Sequence, residues 1–164
     1  MDAIAVLKAD HRTVDGLFSK FEKTGPRAYA TKRKLVDRII RELSIHAAIE
    51  EQIFYPAVRH ALNQTEDQVL EALEEHHLVK LTLAELEKLD ARDERFDAKV
   101  TVLIENVTHH IEEEEQDWFP KVRAGLARKQ LQELGAKLEQ ARKKAPRSPA
   151  KPSALKKTLD AVIA

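Results

Sequence analysis

Apolar residues recur at steps of three and four through four long segments of this chain, the pattern of helices with one buried face. In the first, Ile4, Leu7, His11, Val14, Phe18 and Phe21 make the stripe, and Asp2 is placed to cap the N-terminus. TGPRAYATK breaks it. The second runs from about Lys32 to Leu62, with Val36, Ile39, Leu43, His46, Glu50, Ile53 and Phe54 on one face. Residues 63–65 read as a turn, with Thr65 as a cap for the third segment, where Val69, Leu73, Val79, Leu83 and Leu86 recur to about Leu89. After DARDERFD the fourth carries Val100, Leu103, Val107, His110, Glu114 and Trp118. Two helical hairpins predict an all-α fold, an up-down-up-down four-helix bundle. Pro56 and Pro120 are expected to bend or restart the second and fourth helices, because proline lacks an N–H and clashes with the carbonyl four residues earlier.

Beyond Pro120 the helical pattern resumes to about Lys144 as a C-terminal extension, so residues 1–144 are read as the bundle domain. APRSPAKPSA then reads as a linker, and residues 154–164, ALKKTLDAVIA, as a short amphipathic helix capped by Ser153. Residues 145–164 form a basic, proline-rich tail.

The stripes contain polar residues where apolar ones are expected. His46 and Glu50 interrupt the second, between Leu43 and Ile53; His110 and Glu114 interrupt the fourth, between Val107 and Trp118. A spacing of four puts each pair on one helix face. The context repeats too: HAAIEEQIFYP at 46–56 and HIEEEEQDWFP at 110–120 share the frame His-x-x-x-Glu-Glu-Gln-x-aromatic-aromatic-Pro, 64 residues apart. His11 and His76 add one inward histidine from the first and third segments, His11 lying 35 residues before His46 and His76 34 before His110. A buried carboxylate is costly unless paired or bound to a cation. Four histidines and two glutamates in one core therefore point to a dinuclear metal site, two nitrogens and one carboxylate per half, with the glutamates placed to bridge. Imidazole and carboxylate suit iron, manganese or zinc.

Neighbouring residues compete for these roles. His77 also lies on an apolar face, but the Val79 and Leu83 register favours His76. His109-x-x-x-Glu113 has the same spacing as His110 and Glu114, and alignment on Pro120 favours the latter. Glu51 and Glu115 read as helix-surface charge, with hydrogen bonding to ligand histidines as the alternative. The pairs Phe54–Tyr55 and Trp118–Phe119 read as core packing, or as walls of a small-ligand pocket. His60 reads as surface. A ferritin-like di-iron bundle needs Glu-x-x-His on two helices, and only Glu74-x-x-His77 has that spacing.

Composition narrows the setting. There are no cysteines, which removes disulfides and thiolate ligands and fits a cytoplasmic protein. No stretch reaches the roughly 20 apolar residues of a membrane span, and the N-terminus lacks a basic region typical of signal peptides. Net charge is zero, but residues 121–164 hold 12 Lys and Arg against 3 acidic residues, leaving 16 against 25 in the first 120. The basic tail reads as a solvated extension; the alternatives are docking of an acidic protein partner, a membrane surface or nucleic acid by charge alone. No aromatic residue follows Phe119, so specific nucleic-acid recognition by stacking has no support.

DHRTV, HAAIEEQIFYP, EEHHLVK and HIEEEEQDWFP together resemble the hemerythrin-like HHE cation-binding domains, over about residues 5–125. The resemblance implies a non-haem di-iron centre, two iron ions with an oxo or hydroxo bridge, held by His11, His46, Glu50, His76, His110 and Glu114. Oxygen-carrying hemerythrins have a fifth histidine one turn after the third-helix ligand and an aspartate in the last helix. Here those positions hold Lys80 and Glu114. That departure argues against simple reversible oxygen carriage and leaves coordination sites for dioxygen, peroxide or nitric oxide. The expected functions are scavenging, peroxide decomposition, or oxygen or iron sensing. The alternative is a regulatory module whose bundle responds to metal or redox state without turnover.

Overall fold

In the computed structural model, which describes residues 1–149, every regular element is helical. The expected helix over residues 154–164 lies outside the described residues. Helix α1 (Ala3–Glu22) begins where the sequence places it, the Asp2 carboxylate accepting the Ala5 N–H at 2.9 Å. Helix α2 (Tyr29–Ile49) starts three residues ahead of the expected Lys32. Its first turn has no side-chain cap and is fastened from outside instead. Buried Lys32 pairs with Asp97 at 2.7 Å, and Arg33 donates to the carbonyls of Leu86 and Leu89 at 3.0 Å.

The two prolines act differently from a simple kink. Before each, the helix widens into a π-turn, over Glu50–Phe54 and Glu114–Trp118. The N–H of Tyr55 bonds the carbonyl of Glu50, and that of Phe119 the carbonyl of Glu114. The wider turn relieves the clash that a proline ring creates in a regular helix. Helices α3 (Tyr55–Ala61) and α6 (Phe119–Gly125) then restart with the proline in their first turn.

Helices α4 (Glu66–Lys88) and α5 (Phe96–Glu113) complete the four long rods. Their short connections make neighbours in sequence antiparallel neighbours in space. Thr65 does not cap α4 as expected: it ends a 3₁₀ turn, Asn63–Thr65, and its buried hydroxyl donates back to the Leu62 carbonyl at 2.6 Å.

The C-terminal extension departs from a continuous helix. The chain turns at residues 126–127, and α7 (Arg128–Arg142) docks on α1 through buried Leu131, Leu134 and Leu138. A Cβ on Gly135 would lie 2.3 Å from the Met1 carbonyl oxygen, so this close approach needs glycine.

The core has two parts. One joins the start of α1 to Phe54, Tyr55, Trp118, Phe119 and α7; the other joins Val14–Phe21 of α1 to the far halves of α2, α4 and α5. A polar layer lies between them. No helix among the described residues is long and apolar enough to cross a membrane.

Candidate metal centre

The polar layer is built from the stripe residues. His11, His46, Glu50, His76, His110 and Glu114 are all at least nine-tenths buried. They form two donor groups that share both carboxylates: His11, His46, Glu50 and Glu114 in one, Glu50, His76, His110 and Glu114 in the other. In each group the donor atoms lie within 4.8 Å of one another, close enough to hold a metal ion.

Each carboxylate divides its oxygens between the two groups. Glu50 Oε1 is 3.1 Å from His46 Nε2, while Oε2 is 3.1 Å from His76 Nε2. Glu114 Oε2 is 3.2 Å from His11 Nε2, and Oε1 is 3.0 Å from His110 Nε2. The π-turns carry these two glutamates, so the widening sits where the carboxylates enter the core.

Behind each imidazole stands another carboxylate, at Nδ1. Glu115 lies 2.7 Å from His11, Asp10 3.1 Å from His46, Glu51 3.6 Å from His76 and Glu75 3.0 Å from His110. An Nδ1–H donated outward leaves the Nε2 lone pair facing the centre, the tautomer a metal requires. Two of these carboxylates have cations of their own. Arg142 of α7 reaches Asp10 at 2.8 Å, and Lys80 pairs with Glu51. Glu51 is thus 4% exposed and part of the site. Its reading as surface charge is corrected in favour of the alternative, an acidic partner for a histidine, and the reason is that Lys80 and His76 compensate its buried charge.

Tyr55 also enters the cluster. Its hydroxyl lies 2.9 Å from Glu50 Oε2, 2.8 Å from Glu114 Oε1, and 3.1 and 3.3 Å from the Nε2 atoms of His76 and His110. The sequence pattern reads this ring as packing or as a pocket wall, and its hydrophobic position hides a hydroxyl that reaches the clustered carboxylates. His77 stays outside both donor groups, His109 pairs with Glu113 on the surface at 3.0 Å, and His60 is exposed.

A profile of the hemerythrin HHE cation-binding domain matches residues 2–122. The chain belongs to the hemerythrin HHE cation-binding domain family. Among its relatives, Rv2633c of Mycobacterium tuberculosis is 29% identical over 139 residues, covering 84% of this chain and 83% of that protein. A hemerythrin-like protein of Schizosaccharomyces pombe is 26% identical over 84% of this chain and 67% of its own. A DNA nickase of Nostoc sp. is 24% identical over 85% of this chain, which spans only 38% of that protein's length. The crystal structure of the Rv2633c homologue from Mycobacterium kansasii, an HHE cation-binding domain protein, superposes with a TM-score of 0.72 at 27% identity, covering 88% of this chain and 89% of that one.

The residues of this HHE domain fit a cation on their own chemistry. His11 Nε2, His46 Nε2, Glu50 Oε1 and Glu114 Oε2 are buried and make no hydrogen bond, although they converge on one point. The two Nε2 atoms of His76 and His110 face each other at 3.2 Å. Positive charge is what this environment favours. Burial alone would lower the pKa of His46, but Glu50 and Asp10 raise it to about 10. His76 and His110 are raised in the same way, by Glu50 with Glu51 and by Glu114 with Glu75. Glu50 is held at about 2: burial and Glu114 push it up, and His46 and His76 outweigh them. Burial first, then Glu114 and Glu50, keep the Tyr55 hydroxyl protonated well above its ordinary range.

Proposed function

We propose that this chain is a non-haem di-iron protein whose centre binds and reacts with dioxygen or hydrogen peroxide. The observation that carries this reading is the division of each carboxylate, Glu50 and Glu114, between two pairs of imidazoles. His11 and His46 would hold one ion, His76 and His110 the other, and the two glutamates would bridge. Iron, when bound, would supply redox chemistry, either electrons from its ferrous state to reduce dioxygen or a relay of electrons from one peroxide molecule to a second in disproportionation.

The remaining chemistry belongs to the protein. A cavity of about 30 Å³ touches all four histidines and is walled by Val14, Leu43, Val79, Val107 and Ile111. Its size and apolar lining suit a diatomic molecule and exclude charged competitors. Tyr55 retains its proton and donates it to the shared carboxylates Glu50 and Glu114 beside His76 and His110, which makes it a proton source next to the centre. Asp10, Glu75 and Glu115 orient His46, His110 and His11 by hydrogen bonds, and Glu51 stands beside His76 as an ion-pair partner. The deciding experiment is metal analysis and visible spectroscopy of aerobically purified protein, with hydrogen peroxide consumption assayed alongside. Two irons per chain with ferric charge-transfer bands and peroxide loss are expected. A colourless, metal-free protein of equal stability would rule the reading out.

One observation favours a second reading, regulation by metal state. Arg142 links α7 to His46 through Asp10, so the C-terminal segment is coupled to one half of the centre. Iron-dependent docking of α7 without peroxide consumption would support it.

A further inference from the structure

The apolar cavity is a poor route for a hydrated divalent cation, because stripping and burying such a charge among aliphatic side chains is costly. A wider cleft of about 320 Å³ opens between α4 and the Glu114–Trp118 turn. Its lining includes Glu71, Glu75, Glu113 and Asp117 and no lysine or arginine. Glu71, Glu113 and Asp117 are exposed at its rim, where Lys121 reaches Asp117 at 3.2 Å. Gln68 donates to Asp117 at 2.6 Å across the mouth.

Acidic residues at a surface would not by themselves define a path. The floor supplies the second observation. It is formed by His110 and Glu114, both more than nine-tenths buried, and Glu114 sets Oε1 3.0 Å from His110 Nε2 while its Oε2, which makes no hydrogen bond, faces His11 beyond. The cleft therefore descends from solvent-facing carboxylates to a buried donor that belongs to both metal-holding groups. Partway down, Glu75 contacts His110 Nδ1 at 3.0 Å.

We propose that this cleft is the entry path of the divalent cation, drawn in by Glu71, Glu113 and Asp117 and delivered between His110 and Glu114. The inference rests on the cluster being a metal centre, and it adds an order: the His76–His110 half meets the incoming ion first. A concave surface of one charge sign raises the local concentration of counter-ions and their association rate, and added salt weakens the effect.

The test uses the full chain stripped of metal by chelation, with cobalt(II) uptake followed by stopped-flow absorbance. The triple variant Glu71→Gln, Glu113→Gln, Asp117→Asn changes no proposed ligand. It should take up cobalt about tenfold more slowly, with reduced dependence on ionic strength and the same final stoichiometry. A control triple, Glu22→Gln, Glu87→Gln, Glu94→Gln, removes equal charge from exposed positions outside the cleft and should load at the parent rate. Equal rates in the cleft variant and the parent, or equal slowing in both triples, would overturn the path while leaving the metal centre standing. Failure of the parent chain to bind cobalt at all would overturn both.

Discussion

Tyr55 and Phe119 occupy the same place in the two copies of the repeat, yet they meet the centre differently. Phe119 stacks on His11 at 5.8 Å with its ring nearly parallel, while Tyr55 brings its hydroxyl within 2.8 Å of Glu114. The duplicated frame is symmetric in its donors and asymmetric in this single oxygen. Tyr55→Phe makes the two halves alike. The variant should keep its metal content and lose about a hundredfold in the rate of peroxide reaction, measured by oxygen evolution and by single-turnover absorbance. Unchanged kinetics would remove Tyr55 from the chemistry.

The sharing of carboxylates separates the roles of glutamate and histidine. Glu50 faces both His46 and His76, whereas His46 belongs to one donor group only. Glu50→Ala should therefore lose both ions, and His46→Ala should retain about one, by metal analysis after desalting. Equal losses in the two variants would argue against bridging.

Arg142 lies on the last described helix and contacts no proposed ligand directly, but it fixes Asp10, which in turn faces His46 Nδ1. Arg142→Gln should weaken one of the two ions by about tenfold, seen as a split binding isotherm. Arg142→Lys should recover part of that loss by keeping the charge. The fold should persist, because the buried leucines of α7 are untouched.

Protons compete with the ion, and the sign follows from His46. Its pKa in the metal-free fold is about 10, against about 6.5 for an unfolded histidine. Its stabilising contribution is complete below pH 6.5 and declines as pH rises through 10. Glu50, held at about 2, contributes fully above its ordinary 4.5 and loses that contribution as pH falls through 2. Chelated protein should thus become less stable to urea between pH 6.5 and 10, while metal affinity rises over the same window as the imidazolium proton is released. Denaturation and pH-stat titration read these opposed trends.

The six residues that interrupt the hydrophobic stripes can be picked out without coordinates, because a polar residue inside an apolar register stands out. His11, His46, Glu50, His76, His110 and Glu114 converge as that register implies. Other parts were hidden for definable reasons. Glu51 lies off the regular helical stripe and is buried against Lys80, a partner on another helix. Asp10 and Glu75 support histidines on other helices, so no spacing within one helix reveals them. A signal did exist, since an acidic residue immediately precedes the histidine in both Asp10–His11 and Glu75–His76. The docking of α7 depends on a contact between Gly135 and the far end of the chain, which no local pattern encodes.

The polar layer divides the hydrophobic interior into two clusters, each with contributions from distant stretches of the chain. Bound ions would rivet those clusters into one cooperative unit, since four helices would have to release their donors together. Without them, the seam holds ionisable imidazoles and carboxylates that can hydrate as soon as it opens. Calorimetry of the loaded protein should show a single sharp transition, and the chelated protein a broader one in which the two ends melt apart. The metal would then set not only reactivity but the size of the folding unit itself.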